Sequence, residues 1–165
     1  MSPHCLNKNA TFESGRLYFR GITAGDTHNL VRWRSREDVY IHTPNPRPIT
    51  HAEHTAWFAR YMANKSSYRA IITEKNTGKD IGMVGGECEG EAFVISYYIG
   101  EPEHRGMGFA GEAIKALIEF IQPTAATIHA HVQHGNAASI SCLTRIGFVR
   151  IVSTEKSAVY KYVSA

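Results

Sequence analysis

The chain has 165 residues, of which 43% are hydrophobic, 20% charged and 10% aromatic. This length and composition predict one globular domain with a single core and exclude wholesale disorder. Eighteen Lys and Arg against fifteen Asp and Glu give a net charge of +3. Because the excess is small and not gathered in a basic stripe, we expect no nucleic-acid partner.

Further classes are excluded by what the sequence lacks. No apolar run is long enough to span a bilayer, and residues 1–15 lack the apolar stretch of a signal peptide. Three widely spaced cysteines, Cys5, Cys88 and Cys142, favour reduced thiols, so we expect a cytoplasmic protein without a membrane partner. Nine histidines occur without the three or four converging ligands of a zinc site, so we expect no bound metal.

The first half of the predicted domain contains one strand and two helices. A polar tail, residues 1–15, precedes a strand at residues 17–20. Start signals from Thr23 predict a helix that ends near residue 36. Prolines exclude helix from the following loop, residues 43–48, and a capping box at residues 50–53 begins the second helix.

The middle of the chain predicts three consecutive strands. Residues 68–73, 81–87 and 92–99 are rich in β-branched and aromatic side chains. An Asn-Thr-Gly turn joins the first two strands as a hairpin. The Gly85-Gly86 pair predicts a bend or bulge at the end of the second strand.

The last third begins with the most regular helix of the chain. Apolar residues recur with helical spacing over residues 110–121. A strand at residues 128–132 follows, then a helix at residues 136–146 that ends at a glycine, and two strands at residues 148–152 and 158–162. Residues 16–165 are thus predicted to form a single α/β domain, a mixed central sheet of about seven strands flanked by about four helices.

The loop before that regular helix has the residues of an anion site. Gly106 and Gly108 allow backbone N–H groups to approach a ligand closely and tolerate a positive φ. The helix N-terminus adds unpaired donors and a partial positive charge, which favour phosphate. Arg105 supplies a planar fork that suits phosphate oxygens. A tight structural turn with a solvated arginine is the alternative, but the coincidence of these features favours anion binding.

A dinucleotide site is a weaker interpretation of the same loop. Gly106, Gly108 and Gly111 match the spacing of the dinucleotide fingerprint. That site needs an acidic residue about twenty residues further on, where this chain has His131. No Gly-Lys-Ser/Thr sequence follows, so a P-loop is excluded as well.

Two motifs resemble the GNAT N-acetyltransferase superfamily. Residues 105–110, Arg-Gly-Met-Gly-Phe-Ala, resemble its Q/R-x-x-G-x-G/A signature in the expected place between a strand and a helix. Asn136, Ser139 and the Gly147-Phe148 pair resemble its second landmark, N-x-x-S/A followed by G-F. The order of predicted elements is similar to the family from residue 17 onward, so the resemblance implies a GNAT-like fold.

The resemblance implies acetyl-CoA as co-substrate. Its pyrophosphate would bind the loop, its pantetheine arm would lie along the strand before the loop, and an N–H near Tyr98 would face the thioester oxygen. The residues that the resemblance assigns to this binding are Tyr98, Ile99, Arg105, Gly106, Met107, Gly108, Phe109, Ala110, Gly111, Asn136 and Ser139.

The catalytic groups are less defined. Many relatives carry a Tyr, which protonates the leaving thiolate, at the position of Leu143. Four alternatives remain: the thiolate leaves unprotonated, or it is protonated by water, Ser141 or Tyr97. An acceptor amine must lose a proton before it attacks, and Glu87 is the candidate base, with a solvated strand-end acid as the alternative. His54 is a second candidate, although a helix histidine beside aromatic residues also fits simple packing.

The resemblance implies that the acceptor binds on the side of the first two helices and the proline-rich loop, which is mildly basic and aromatic. Trp33, Arg34, His42 and His54 are the candidate substrate-binding residues. The sequence there resembles nucleotide-linked amino-sugar N-acetyltransferases and, in part, ribosomal-protein alanine N-acetyltransferases. We therefore expect a small-molecule amine, an amino sugar, with a protein N-terminal amine as alternative, and a monomer or homodimer. Because Leu143 replaces the Tyr, a non-catalytic CoA-binding module is a further alternative.

Overall fold

The computed structural model describes residues 6–125 and 127–163, and a mixed sheet is its central layer. The strands are β1 Thr11–Glu13, β2 Leu17–Gly21, β3 Ser67–Glu74, β4 Asp80–Glu89, β5 Ala92–Ile99, β6 Thr127–Gln133, β7 Phe148–Ser153 and β8 Ser157–Tyr162. They lie in the order β1-β2-β3-β4-β5-β6-β8-β7. All neighbours are antiparallel except β5 and β6, which are parallel.

Five helices cover the two faces of this sheet. They are α1 Thr27–Arg34, α2 Glu37–Tyr40, α3 His51–Ala63, α4 Phe109–Ile121 and α5 Ala137–Ile146. None of the helices within the described ranges is long and apolar enough to cross a membrane. The single α/β domain with a mixed sheet is therefore confirmed, with eight strands and five helices instead of about seven and about four.

The additional strand β1 lies in the segment that the sequence placed in the polar tail. The Phe12 ring stacks on Phe19 at 4.5 Å and on Phe120 at 4.6 Å, which fixes the strand to the sheet and to α4. The additional helix α2 is only four residues long. Both elements are too short to show a hydrophobic period, so local sequence did not predict them. Residues 1–5, including Cys5, lie outside the described chain.

The larger part of the core lies between the sheet and helices α4 and α5. The apolar stripe of α4 is buried at Ala113, Ile114, Leu117, Ile118 and Ile121, as its spacing predicts. Helix α5 has Asn136 as its N-cap, whose side chain accepts a hydrogen bond from Ser139 N, and Gly147 as its C-cap, with φ of +122°.

A smaller apolar cluster covers the opposite face beneath α1 and α3. Its buried members are Ile22, Leu30, Trp33, Tyr61, Ile71 and Met83. The capping box that begins α3 is present, since Glu53 N donates to Thr50 Oγ1 and Thr50 N donates to Glu53 Oε1, both at 3.1 Å.

The prediction of a bulge at Gly85-Gly86 is wrong. Both glycines remain in regular register within β4, and the register shift of the β3–β4 pair lies between Ile72 and Thr73. A Cβ on Gly85 would lie 2.2 Å from the Tyr68 carbonyl oxygen. Glycine is needed here because neighbouring backbone approaches closely, not because the strand bends.

Candidate active site

The parallel strands β5 and β6 separate in the middle of the sheet. Their paired register runs from Ala92–Thr127 to Ile95–Ala130 and then stops. Beyond that point β5 continues to Ile99 and pairs only with β4, while β6 continues to Gln133 and pairs with β8. The facing backbone edges of residues 96–99 and 131–133 are therefore open to a ligand that hydrogen-bonds like a strand.

A cleft of about 1460 Å³ passes through this opening. It is lined by residues from α1, α3, the strands β3–β6, α5 and the loop before α4. One end lies at the loop of residues 105–111, called the glycine loop below, and the other lies between the sheet and the helices α1 and α3. The sheet thus separates a loop side, with α4 and α5, from an acceptor side, with α1 and α3.

The glycine loop presents a row of unused donors. Gly106 and Gly108 have φ of +73° and +80°, and Gly108 is the N-cap of α4. Within the described chain, the N–H groups of residues 106–111 donate to no protein acceptor. A Cβ on Gly106 would meet nothing within 4 Å, so the outer side of the loop is open. This geometry suits phosphate oxygens.

Arg105 is held at the junction of the loop and the acceptor side. Its Nε donates to the Ile99 carbonyl at 2.9 Å, and its Nη1 lies 2.6 Å from Asp38 Oδ2. Asp38 also pairs with Arg36 at 3.1 Å. Hydrogen bonds from Arg105 and Arg36 lower the pKa of the Asp38 carboxyl to about 2. The arginine therefore begins the loop, and a carboxylate from α2 already occupies part of its fork.

Sequence reasoning missed a second arginine beside the loop. The Arg16 guanidinium lies 4.2 Å from the centre of the Phe109 ring, and its Nη1 donates to the Met107 carbonyl at 3.0 Å. Arg16 Nε also pairs with Glu112 at 2.7 Å. Nothing local indicated this position, because Arg16 is remote in sequence and is brought to the loop by the pairing of β2 in the sheet.

Helix α5 presents a polar edge to the cleft. Tyr97 and Ser139 both line it, and their hydroxyl groups share a hydrogen bond. Burial raises the pKa of Tyr97 to about 12, so its hydroxyl keeps its proton at neutral pH. Ser141 is exposed and is not part of the cleft lining. The structure therefore brings Tyr97 to the site and leaves Ser141 outside it.

The rotation of α5 also explains the position of Leu143. Its side chain is fully buried in the larger core, whereas Cys142 and Ser139 line the cleft. The leucine therefore packs the helix against the sheet. In this chain, the position that carries Tyr in many relatives does not present a side chain to the cleft.

On the acceptor side, the predicted substrate-binding residues separate into two groups. Trp33 is fully buried, donates from Nε1 to Glu101 at 3.3 Å, and is absent from the cleft lining of the described chain. The prediction that it contacts substrate is therefore not supported by its position. Arg34 does line the cleft, but its guanidinium donates to the carbonyls of Asn45 and Arg47 and so fastens the proline-rich loop.

Two histidines line the acceptor side. His42 is exposed, and His54 is only 4% exposed beside the rings of Trp57 and Phe58. Burial lowers the pKa of His54 below its ordinary value, with a smaller contribution from the nearby His51. Its Nε2 has no hydrogen-bond partner in the described chain.

Glu87 lies in the cleft wall on β4, as a base must. Its side chain is about half exposed, and its carboxylate receives a long hydrogen bond of 3.4 Å from Asn64 Nδ2. Arg69 Nη2 lies 3.8 Å from Glu87 Oε1. Neither contact saturates the carboxylate. Among the described residues, no group of three or more His, Cys, Asp or Glu could hold a metal ion.

Comparison with known proteins identifies the family. The sequence model of the acetyltransferase (GNAT) domain family matches residues 16–149. The chain belongs to the GNAT acetyltransferase family. It is accordingly an acetyl-CoA-dependent N-acetyltransferase. No curated protein is detectably similar to the chain.

Solved structures share this fold at low sequence identity. A GNAT-family acetyltransferase from Bacillus anthracis has a TM-score of 0.81 at 17% identity, covering 93% of this chain and 98% of that one. Spermidine N-acetyltransferase from Vibrio cholerae, solved with CoA and spermine, has a TM-score of 0.77 at 17% identity, covering 90% and 94%. A ribosomal L7/L12 alpha-N-protein acetyltransferase has a TM-score of 0.77 at 14% identity, covering 92% of each chain. The acceptors named for the last two differ, so the shared fold does not select one.

Proposed function

We propose that this GNAT domain binds acetyl-CoA with its pyrophosphate on residues 105–111 and its pantetheine arm between β5 and β6. The observation that carries the proposal is the row of unpaired N–H groups in residues 106–111 beside the point where the two strands separate. Asn136 and Ser139 line the same opening and would flank the arm. An N–H near Tyr98, on the open stretch of β5, would donate to the thioester oxygen as negative charge develops on it.

The chemistry is a direct transfer. Glu87 first takes a proton from the acceptor's ammonium group, and the freed amine attacks the thioester carbonyl. The new C–N bond forms, the C–S bond breaks, and the second proton that the nitrogen loses replaces the one given to the leaving sulfur. The thiolate then leaves towards the hydroxyl pair of Tyr97 and Ser139. Since Tyr97 lines the cleft and Ser141 does not, Tyr97 is the better placed donor to the thiolate.

For the acceptor we propose a nucleotide-linked amino sugar. The acceptor side combines aromatic surface at Trp57 with the basic side chains of Arg34 and Arg69, which suits a polar ring attached to an anionic group. A protein N-terminal amine is the second candidate, because the sequence of the first two helices in part resembles the ribosomal-protein alanine N-acetyltransferases.

Ligand-induced stabilisation tests the co-substrate. At about 100 times its Kd, acetyl-CoA should add about 2.7 kcal/mol of stability, which raises the Tm of a domain of this size by about 5–11 °C. Differential scanning fluorimetry measures the shift, with NAD and NADP at equal concentration as controls. Stabilisation by a dinucleotide and not by acetyl-CoA would contradict the proposal.

The Asp38–Arg105 pair leads to a prediction about affinity. Asp38→Asn should lower the KM for acetyl-CoA by about two- to fivefold, because an exposed carboxylate no longer competes with the pyrophosphate for Arg105. Initial rates at varied acetyl-CoA measure the change. Glu37→Gln, one residue earlier on α2, is the matched control and should leave the KM unchanged. A raised KM in Asp38→Asn would show that the pair organises the loop instead of competing with the ligand.

A further inference from the structure

Arg69 is a charged residue inside an otherwise apolar strand. Its neighbours Tyr68 and Ala70 are fully buried and project to the larger core, so Arg69 and Ile71 project to the acceptor side. The Arg69 side chain is only 13% exposed, and it lines the cleft. Burying a guanidinium in a cleft wall is costly unless acceptors satisfy its donors.

The described chain does not satisfy those donors. The Arg69 guanidinium makes no hydrogen bond to any described residue, and its buried Nε has no partner. Its contacts are the Glu87 carboxylate at 3.8 Å, beyond hydrogen-bond distance, and the Trp57 ring at 5.4 Å. Two other arginines of the chain differ in this respect. Arg20 donates two hydrogen bonds to the Asp26 carboxylate, and Arg32 donates two to the Glu101 carboxylate.

The space in front of Arg69 is open because of the residues paired with it. In the sheet register Arg69 pairs with Gly85, and Gly85 pairs with Ser96. These three residues form a row across the sheet. Gly85, at its centre, has no side chain, and Ser96, at one end, has only a small hydroxyl group. Glu87 and Tyr98 lie two residues from Gly85 and Ser96 on the same face. The row therefore forms a shallow floor that leads from Arg69 towards the open stretch of β5.

Opposite charges thus lie side by side on the wall of the cleft without neutralising each other through hydrogen bonds. Glu87 complements an ammonium group, and Arg69 complements an oxyanion beside it. From this juxtaposition we infer that Arg69 determines acceptor specificity by binding an oxyanion, a carboxylate or a phosphate, that the acceptor carries in addition to its amine.

This inference rests on the proposed function and deepens it. A polyamine would place a second cation against Arg69, and a protein N-terminus would place a neutral amide there. The polyamine is disfavoured because it offers the guanidinium no acceptor and adds a like charge. The amide carbonyl of a protein N-terminus is a weaker acceptor than a charged oxyanion. An amino compound with a nearby carboxylate or phosphate satisfies both members of the Glu87–Arg69 pair.

Paired acceptors that differ only in the anionic group test the inference by kinetics. Glucosamine 6-phosphate is compared with glucosamine, and alanine with alaninamide, by detection of released thiol. In the native protein we expect the KM of one anionic member to be about tenfold to a hundredfold lower than that of its neutral partner. A preference in the first pair identifies a phosphate, and in the second pair a carboxylate. Equal KM values within both pairs, with turnover, would overturn the inference.

Variants assign any preference to Arg69. Arg69→Gln should raise the KM of the anionic acceptor to that of the neutral one with little change in kcat, and Arg69→Lys should restore part of the difference. The control is Arg150→Gln, an exposed strand arginine outside the cleft lining. Preservation of the preference in Arg69→Gln would overturn the assignment.

A spectroscopic titration decides the question when none of the four probes is acetylated. The arginine Nε–H resonance missing from Arg69→Lys identifies Arg69 in the native protein. With CoA at saturation, inorganic phosphate or acetate should shift this resonance saturably and leave that of Arg150 in place. Absence of a shift with both anions overturns the inference. Failure of the proposed function is distinguished separately, because acetyl-CoA would then give no thermal stabilisation.

Discussion

Replacing Trp33 by alanine should lower the free energy of unfolding by about 3–5 kcal/mol. The ring is fully buried in the cluster beneath α1 and α3, and a Cβ on Gly100 would lie 2.2 Å from it, so the ring is packed directly on backbone. The truncation also removes the Nε1 donor from the Glu101 carboxylate. Urea unfolding followed by circular dichroism measures the loss.

Two further variants separate packing from substrate contact. Trp33→Phe keeps most of the apolar volume and should cost less than the alanine variant. Trp57→Ala, on the cleft side and only partly buried, should cost less again, since it leaves a smaller cavity. If Trp33→Ala were as stable as the native protein but had a raised acceptor KM, Trp33 would be a substrate contact, as the sequence suggested.

The features that sequence predicted well are those encoded over short distances. Gly106, Gly108 and the apolar period of α4 specify a loop followed by a helix, and the structure has that loop with positive φ at both glycines. The capping box of α3 and the glycine that ends α5 are equally local. In each case the residues that make the structure lie within a few positions of one another.

What sequence did not predict depends on how elements meet. Trp33 and Arg34 are adjacent in α1, yet one is core and the other lines the cleft, because the rotation of the helix against the sheet decides which side is covered. The same applies in α5, where Leu143 is buried while Ser141 is exposed. The hydrophobic period of a helix predicts which of its faces is buried, but it does not predict which part of the protein its polar residues face.

Arg69 shows where a signal existed. A lone arginine between apolar residues in a strand contradicts the pattern of that strand, and such local conflicts often mark function. The sequence gives no hint, however, that Glu87 would lie 3.8 Å away, since that distance depends on the register of β3 against β4. The candidate base was thus predicted, but its charged neighbour was not.

The choice of Glu87 as base is strengthened by the state of the other acids in the cleft. Asp38 and Glu53 line it too, but hydrogen bonds from Arg105 and from Arg47 lower the pKa of each to about 2. A carboxylate with so low a pKa is a poor proton acceptor. Glu112 is occupied by Arg16 and by the Ser14 hydroxyl. Glu87 is the cleft carboxylate nearest the open stretch of β5 that has only long contacts.

Glu87→Gln should therefore lower kcat/KM by about 10²- to 10⁴-fold at neutral pH, the range that a general base contributes. The KM for acetyl-CoA should change little, because the loop of residues 105–111 is on the other side of the sheet opening. Activity of the variant should rise with pH, because a larger fraction of the acceptor amine is then already deprotonated and needs no base. Initial rates across a pH series measure both effects.

The matched control is Glu89→Gln, on the same strand and the same cleft wall. Glu89 pairs in register with Ala92, further from the opening, and its carboxylate lies 3.6 Å from His131. The Glu89→Gln variant should retain nearly full activity. A loss of activity shared by both variants would indicate a general charge effect and not proton transfer. Full activity in Glu87→Gln, with an unchanged pH profile, would transfer the role of base to another group. His54 would then be the next to test, because its unpartnered Nε2 lines the same cleft.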